Sequence, residues 1–120
     1  MPQTLSKKER LSGKTAVSDL LKKGRWGYTA NLKFCWLRRE DDGGSRVLVS
    51  VPKRNFKRAV KRNLLKRRLR ESYRTRKGYL EGKPVDVMFF YNTKEVLDSP
   101  ALSAEVEEIL RNLSEISTER

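Results

Sequence analysis

A run of basic side chains between residues 53 and 77 has the clearest chemical capability in this sequence. It holds 13 Lys and Arg residues and a single acid, Glu71. An Arg can hold a phosphate with two parallel N–H donors, and a Lys supplies a mobile point charge. The 120-residue chain has 28 Lys plus Arg against 15 Asp plus Glu, a net charge of +13, so this run carries almost all of the excess. The pattern predicts a polyanionic partner.

Helical spacing within the run predicts a helix from about residue 58 to residue 76, ending near Gly78. Leu65, Leu69 and Tyr73 are four residues apart and form a narrow core-facing stripe. A second stripe, called the basic stripe below, lies about a quarter-turn away and comprises Asn63, Lys66, Arg67, Arg70 and Arg74. Solvated helices usually mix charge signs and this one scarcely does, which favours nucleic-acid binding over a merely solvated face. A nuclear localisation run is the competing motif.

The usual zinc-binding and general-base constellations are absent from the sequence. The chain has no His and only one Cys, Cys35, which excludes an intrachain disulfide and the usual zinc sites. Asp86 and Glu71 are too few for the carboxylate cluster of a metal-dependent nuclease. We therefore expect no catalytic residue, metal, cofactor or small-molecule substrate held by the protein itself. Without a long apolar run or a signal peptide, we expect no membrane partner and a reducing, cytoplasmic location.

The remaining elements must position the basic helix. Apolar periodicity predicts a short helix over residues 12–23, stopped by Gly24. Alternating apolar residues predict strands at residues 31–38 and 46–51, joined as an antiparallel hairpin. A segment that is apolar on both faces, residues 85–91, predicts a central strand covered on both sides.

A last helix is predicted to begin with Ser99 as its cap and Pro100 at its first helical position. Its apolar stripe consists of Leu102, Val106, Ile109, Leu110, Leu113 and Ile116. Because Glu105, Glu107 and Glu108 lie outside that stripe, we expect this helix on the far side of the domain from RNA. The length fits one domain. We divide the chain into a basic arm (residues 1–11), one α/β RNA-binding domain (12–116) and a tail (117–120).

Residues 51–71 read VPKRNFKRAVKRNLLKRRLRE and resemble the signature of the bacterial ribonuclease P protein family. Six residues fall at the spacing of that family: Ala59, Arg62, Asn63, Lys66, Arg67 and Arg70. Leu64 departs from it, since the common motif has an arginine-like residue there. The likeness continues through an amino-terminal Arg10-Leu11 and covers the chain from about Leu5 to Leu113.

The resemblance implies a two-layer α/β sandwich in the order αβββαβα, with a left-handed βαβ crossover around the basic helix. It also implies an accessory protein subunit of a ribonucleoprotein endoribonuclease, a hydrolase that removes the 5′ leader of precursor tRNA. The RNA subunit of such an enzyme carries the chemistry, and Mg²⁺ belongs to the RNA-containing holoenzyme. The implied partners are the catalytic ribonuclease P RNA and precursor tRNA.

Site residues follow from the same resemblance. The residues expected to bind the catalytic RNA are Lys53, Arg54, Arg58, Arg62, Asn63, Lys66, Arg67, Arg70 and Arg74. The single-stranded leader is expected in a cleft between sheet and helix, with candidates Val17, Leu21, Lys33 and Cys35. Many relatives carry phenylalanines at the positions of Val17 and Leu21.

Aromatic residues give a weaker signal. Trp26 and Tyr28 lie in a Gly-containing segment before the first predicted strand and are expected to be partly exposed, with RNA contact as one possible role. Four other aromatic residues have strand spacing typical of a core: Phe34, Trp36, Phe89 and Tyr91.

Three alternatives remain open from the residues alone. A ribosomal or other structural RNA-binding protein shares the small size, high charge and basic helix. A double-stranded DNA-binding protein is disfavoured because no helix-turn-helix pattern precedes the basic helix. An independent nuclease lacks the necessary carboxylates.

Overall fold

The computed structural model describes residues 11, 13–40 and 43–118, with side chains up to Glu115. Along the chain the elements are α1 (Lys14–Lys23), β1 (Arg25–Tyr28), β2 (Leu32–Arg38), β3 (Arg46–Ser50), α2 (Ala59–Arg76), a 3-10 helix (Lys77–Leu80), β4 (Val85–Tyr91) and α3 (Ser99–Thr118). The predicted class, a single mixed α/β domain, is confirmed. No helix in the described part of the chain is long and apolar enough to cross a membrane.

The four strands form one sheet in the order β1-β2-β4-β3. β2 is antiparallel to both β1 and β4, whereas β3 is parallel to β4. The predicted hairpin between β2 and β3 is therefore wrong, because β4 lies between these two strands. Since β4 is apolar on both faces, a central position buries more of its side chains than an edge would. The prediction of β4 as a central, covered strand is confirmed.

One face of the sheet carries the main core. Val85, Val87 and Phe89 of β4 are wholly buried against α2 and α3. The predicted helix stripes are confirmed: Leu65, Leu69 and Tyr73 of α2 are wholly buried, as is the α3 stripe from Leu102 to Leu113. The side chain of Ile116 lies outside the described residues. Sheet and paired helices thus form the expected sandwich.

The opposite face of the sheet is only partly covered. Leu20 of α1 and Leu11 pack there against Cys35, and all three are buried. Leu11 also joins the sheet edge, since its N–H donates to the Val47 carbonyl over 2.9 Å. Because α1 covers only part of this face, other side chains on it remain accessible.

A glycine is required where α1 ends. The Gly24 N–H donates to the Leu20 carbonyl over 2.8 Å, which closes the last turn. A Cβ atom at Gly24 would lie 2.6 Å from the Cys35 Sγ and 2.4 Å from the Leu20 carbonyl oxygen. Any larger residue would push α1 away from the sheet, so the predicted stop is confirmed and its reason is close packing.

Two predictions about α3 need correction. Its cap is Asp98, whose Oδ1 accepts the Ala101 N–H over 2.9 Å, and Ser99 is the first helical residue. Asp and Ser are both good caps, so neighbouring candidates could not be separated by sequence. α3 also lies beside α2, not on the far side of the domain, with the Ser72 and Ser103 hydroxyls 3.0 Å apart. Small side chains at that crossing let the two helices approach closely.

Several predictions stay untested. Residues 1–10 of the predicted arm, Ser12 of the predicted first helix and residues 119–120 lie outside the described residues. The division into arm, domain and tail and the left-handedness of the β3–α2–β4 crossover remain predictions.

Candidate nucleic-acid interface

The basic stripe lies on the solvent side of α2. Asn63, Arg67 and Arg70 are exposed and Lys66 is half-buried. None of these four side chains makes a hydrogen bond or ion pair with the residues that the structure describes. Because the buried side of the helix fixes its rotation, all four are held on one surface with their polar groups available.

Other cations of α2 are engaged within the protein. Arg74 donates to Glu71 with Nη2 and Oε1 2.5 Å apart, so the carboxy-terminal end of the basic stripe is partly neutralised. Arg68 donates to the Leu97 carbonyl over 2.6 Å and ties α2 to the segment before α3. Arg76 pairs with Glu107 over 3.0 Å. The cations of α2 that have no partner in the described part of the chain are consequently concentrated nearer its amino-terminal end.

Glu107 of α3 neutralises a cation at the carboxy-terminal end of α2. Hydrogen bonds from Arg76 and Tyr79 lower the pKa of the Glu107 carboxyl below its ordinary value. The carboxylate therefore stays charged at neutral pH and matches the Arg76 guanidinium. α3 sets the boundary of the positive surface at this point.

The segment between β3 and α2 adds exposed cations. Lys53 and Arg54 lie in a turn that closes when the Asn55 N–H donates to the Pro52 carbonyl over 3.1 Å. Phe56 is buried and anchors the turn to the core. Lys53, Arg54 and the helix-preceding Arg58 are exposed. The turn thus extends the basic surface beyond the first residue of α2.

Arg62, which the motif predicts to bind RNA, makes hydrogen bonds within the protein. Its Nη1 donates to the Phe56 carbonyl and to the Lys57 carbonyl, each over 2.8 Å. A guanidinium that bridges two consecutive carbonyls fixes the backbone that precedes α2. Arg62 therefore stabilises the turn that carries Lys53 and Arg54. This role is separate from any contact that its remaining N–H donors make with RNA.

A second polar and aromatic surface lies on the sheet face that α1 partly covers. We call it the aromatic platform: Trp26, Tyr28, Lys33 and Phe90. The register places Tyr28 opposite Lys33, and Lys33 opposite Phe90, so their side chains share one face. Trp26 is 44% exposed and Tyr28 is 65% exposed. Partial exposure of both, expected from the sequence, is confirmed.

The members of the aromatic platform touch one another. The Trp26 and Phe90 ring centres are 5.5 Å apart. The Lys33 Nζ lies 4.8 Å from the Trp26 ring centre and within 6 Å of the Tyr28 and Phe90 ring centres. Open rings with a cation among them suit the stacking of bases and the attraction of a phosphate.

The predicted leader-cleft residues divide between surface and core. Val17 and Leu21 lie on α1 beside a groove that Lys14, Ser18 and Lys22 also line, and Leu21 is 40% exposed. Lys33 belongs to the aromatic platform. Cys35 is wholly buried, its Sγ donates to the Leu20 carbonyl over 3.2 Å, and burial raises its pKa to about 11. Cys35 is a core residue, and its assignment to the cleft is wrong for that reason.

Apolar periodicity alone did not predict β1, and with it the way the platform is assembled. Trp26, Gly27 and Tyr28 are too few to show an alternation. Gly27 packs against the Phe34 ring, where a Cβ atom would lie 2.4 Å from Cζ. The aromatic residues predicted as core are confirmed there: Phe89 and Tyr91 are wholly buried, and Phe34 and Trp36 pack against the main core.

Comparison with known proteins decides the family. The model of the family described as ribonuclease P matches residues 5–114, nearly the whole chain. The chain belongs to the ribonuclease P family. The matched residues include the basic stripe, the segment before α2 and the aromatic platform.

Curated relatives and solved structures agree with membership in the ribonuclease P family. The ribonuclease P protein components of two strains of Porphyromonas gingivalis are 37% identical over 78 residues, which is 63% of this chain. The chain's match spans 57% of the length of these relatives. The Staphylococcus aureus RNase P protein has a TM-score of 0.74 at 20% identity, with 88% of this chain and 94% of that chain covered. The Thermotoga maritima protein has a TM-score of 0.75 at 24% identity, with 87% and 96% covered.

These structural likenesses show the fold of the ribonuclease P family. Within that fold Leu64, the departure from the family motif, is half-buried on α2, and the exposed cations Lys61 and Arg67 lie three residues to either side of it. Among the described residues no three His, Cys, Asp or Glu side chains come together as a metal site would require. The polar groups that stand out here are donors for phosphates and bases.

Proposed function

We propose that this chain is the protein subunit of a ribonuclease P ribonucleoprotein, which assists removal of the 5′ leader from precursor tRNA in the cytoplasm. The observation that carries the proposal is a set of polar side chains on one face of α2 that have no partner among the described residues: Asn63, Lys66, Arg67 and Arg70. A helix with this family motif and this open face is suited to bind a large structured RNA.

Charge explains why the open face of α2 favours RNA. Cations three and four residues apart repel one another by a few tenths of a kcal/mol per pair. The first turn of α2 contains no acid that would relieve this repulsion or complement the helix dipole. Phosphates of a bound RNA would relieve the repulsion and complement the helix dipole. Release of the counterions of these phosphates adds a salt-dependent driving force for binding.

We assign a different role to the aromatic platform. Its open rings and Lys33 would hold the single-stranded leader by stacking and charge, with the Val17 and Leu21 groove of α1 beside it. The platform and α2 lie on opposite faces of the sheet. The same molecule could therefore bind the catalytic RNA with one face and the leader with the other.

The hydrolysis itself is assigned to the RNA subunit in this proposal. That RNA, with Mg²⁺, would position the scissile phosphate. The protein would raise the affinity for substrate by adding contacts to the leader. None of the protein's side chains is given a step in bond cleavage.

A binding competition tests the proposed partner. The full-length protein is titrated with a labelled bacterial ribonuclease P RNA in the presence of either a ribosomal RNA fragment of equal length or a double-stranded DNA. We expect tight, salt-sensitive binding that neither competitor displaces at equal concentration. Equal displacement by the ribosomal fragment would favour a general structural RNA-binding protein, and displacement by the duplex would favour a DNA-binding protein.

A further inference from the structure

The connection between β1 and β2 is held by an acid from the last helix. The Glu105 Oε1 accepts the Thr29 hydroxyl over 2.5 Å and the Asn31 N–H over 2.9 Å. Its Oε2 accepts the Asn31 side-chain amide over 2.7 Å. Both carboxylate oxygens are used, and all three donors lie in the same short connection. In the sequence Glu105 is only one of the acids outside the apolar stripe of α3, and no pattern points to these contacts.

This connection needs an external support because β1 has few others. β1 has only four residues and, among the strands that the structure describes, lies at the edge of the sheet beside β2 alone. Within the connection, the Thr29 N–H donates to the Leu32 carbonyl over 2.8 Å. The Asn31 carbonyl accepts the Asn92 N–H over 2.9 Å, which links the connection to the residue after β4.

The aromatic platform depends on where β1 lies. Trp26 and Tyr28 come from β1, whereas Lys33 comes from β2 and Phe90 from β4. A displacement of β1 would separate the Trp26 ring from Phe90 and from the Lys33 ammonium. A slip of one residue would turn both β1 rings to the other face.

We infer that Glu105 is a positioning residue for the aromatic platform, holding β1 in place from the opposite side of the sheet so that its rings can stack on single-stranded RNA. The inference rests on the proposed function of the platform. It assigns to α3 a part in substrate binding, although Glu105 would itself repel RNA phosphates and lies away from the exposed rings.

Glu108 supplies a matched control on the same helix. It is exposed and makes no hydrogen bond or ion pair with the described residues. Glu105→Gln and Glu108→Gln remove the same charge from α3. In Glu105→Gln the Thr29 and Asn31 donors to Oε1 would meet a neutral amide oxygen, and the Asn31 side-chain amide would have to turn over to keep a partner, so charge-assisted hydrogen bonds become weaker neutral ones. Only the first variant should disturb the connection.

The test uses holoenzyme assembled from the full-length protein and a bacterial ribonuclease P RNA. Affinity is measured for a precursor tRNA with a long single-stranded leader and for the same tRNA with a one-nucleotide leader. Trp26→Ala should lower the ratio of the two affinities by about tenfold, the effect of one lost stacking contact. Glu105→Gln should lower it by about fivefold, while Glu108→Gln leaves it unchanged.

A double variant separates positioning from a general structural role. If Glu105 acts through the rings, adding Glu105→Gln to Trp26→Ala should lower the ratio little further. Binding to the ribonuclease P RNA alone should match the parent. Thr29→Val, which keeps the shape of the side chain and removes one donor, should lower the ratio in the same direction if Glu105→Gln proves poorly folded.

The results separate a failure of the positioning inference from a failure of the proposed function of the platform. If Trp26→Ala loses leader discrimination and both Glu105→Gln and Thr29→Val keep it, the positioning inference is wrong and the proposed platform stands. If Trp26→Ala itself keeps full discrimination, the platform does not bind the leader, and the inference falls with that part of the proposed function.

Discussion

The Lys33 ammonium lies 4.8 Å from the centre of the Trp26 indole ring, on the face of the sheet opposite the basic helix. No acid pairs with Lys33 among the described residues, so its charge is met only by the faces of three rings. A partly exposed cation–π contact contributes about 0.5–1 kcal/mol, less than a charge-assisted hydrogen bond to phosphate. The ammonium is therefore held in place and remains available to an RNA backbone.

Lys33→Met should weaken binding of a precursor tRNA with a long leader and leave a one-nucleotide leader unaffected. Loss of one phosphate contact on a single strand should also reduce the salt slope of the log affinity by about 0.7. Tyr28→Phe is the control, since it keeps the ring and should bind like the parent. An unchanged slope in Lys33→Met would show that this ammonium contacts no phosphate.

Arg67→Ala and Arg70→Ala should each weaken binding to the ribonuclease P RNA and reduce the salt slope by about 0.7 to 0.9. Both side chains are exposed and without a partner in the described part of the chain, so their loss should not destabilise the fold. Arg111→Ala removes the same charge from the exposed surface of α3 and should bind as the parent does. Parent-like affinity of both α2 variants across a salt series would place the RNA on another surface.

Arg62→Ala should weaken binding to the ribonuclease P RNA more than Arg67→Ala does, by about a further tenfold. The reason is that the Phe56 and Lys57 carbonyls lose their shared donor, and the turn with Lys53 and Arg54 loosens. Hydrogen exchange at the Asn55 and Phe56 amides, measured without RNA, should accelerate. Unchanged hydrogen exchange, together with an affinity equal to that of Arg67→Ala, would show that Arg62 contacts RNA and does not stabilise the turn.

Cys35 should be unreactive towards thiol reagents in the folded protein and react on unfolding. Burial raises its pKa from 9.0 to about 11, so folding favours the neutral thiol. The contribution of the buried Cys35 thiol to the free energy of unfolding is complete below pH 9 and is lost as pH rises towards 11. The difference in free energy of unfolding between the parent and Cys35→Ala should follow that course. Rapid alkylation of the native protein at neutral pH would contradict the buried position.

The basic stripe could be predicted because a helix converts spacing directly into faces. Leu65, Leu69 and Tyr73 fix the buried side of α2, and the position of Arg67 and Arg70 follows from 3.6 residues per turn. The same logic located the apolar stripe of α3. Helix period and residue type were sufficient wherever the relevant contacts lie within a single helix.

The sheet and the second surface could not be predicted in this way. Alternation shows that β2, β3 and β4 are strands, but it does not say which of them are neighbours. Glu105 contacts Thr29, 76 residues earlier in the chain, and no local pattern connects them. Arg62 matched an RNA-binding motif, while its contact with two backbone carbonyls depends on how the preceding turn folds. Long-range packing decided each of these positions.

The role of accessory subunit is tested by cleavage of a precursor tRNA. A bacterial ribonuclease P RNA is assayed at low magnesium with and without the full-length protein, beside a sample of the protein alone. We expect efficient removal of the leader only when RNA and protein are combined. Cleavage that the protein does not enhance, or cleavage by the protein without RNA, would contradict its assignment as the accessory subunit.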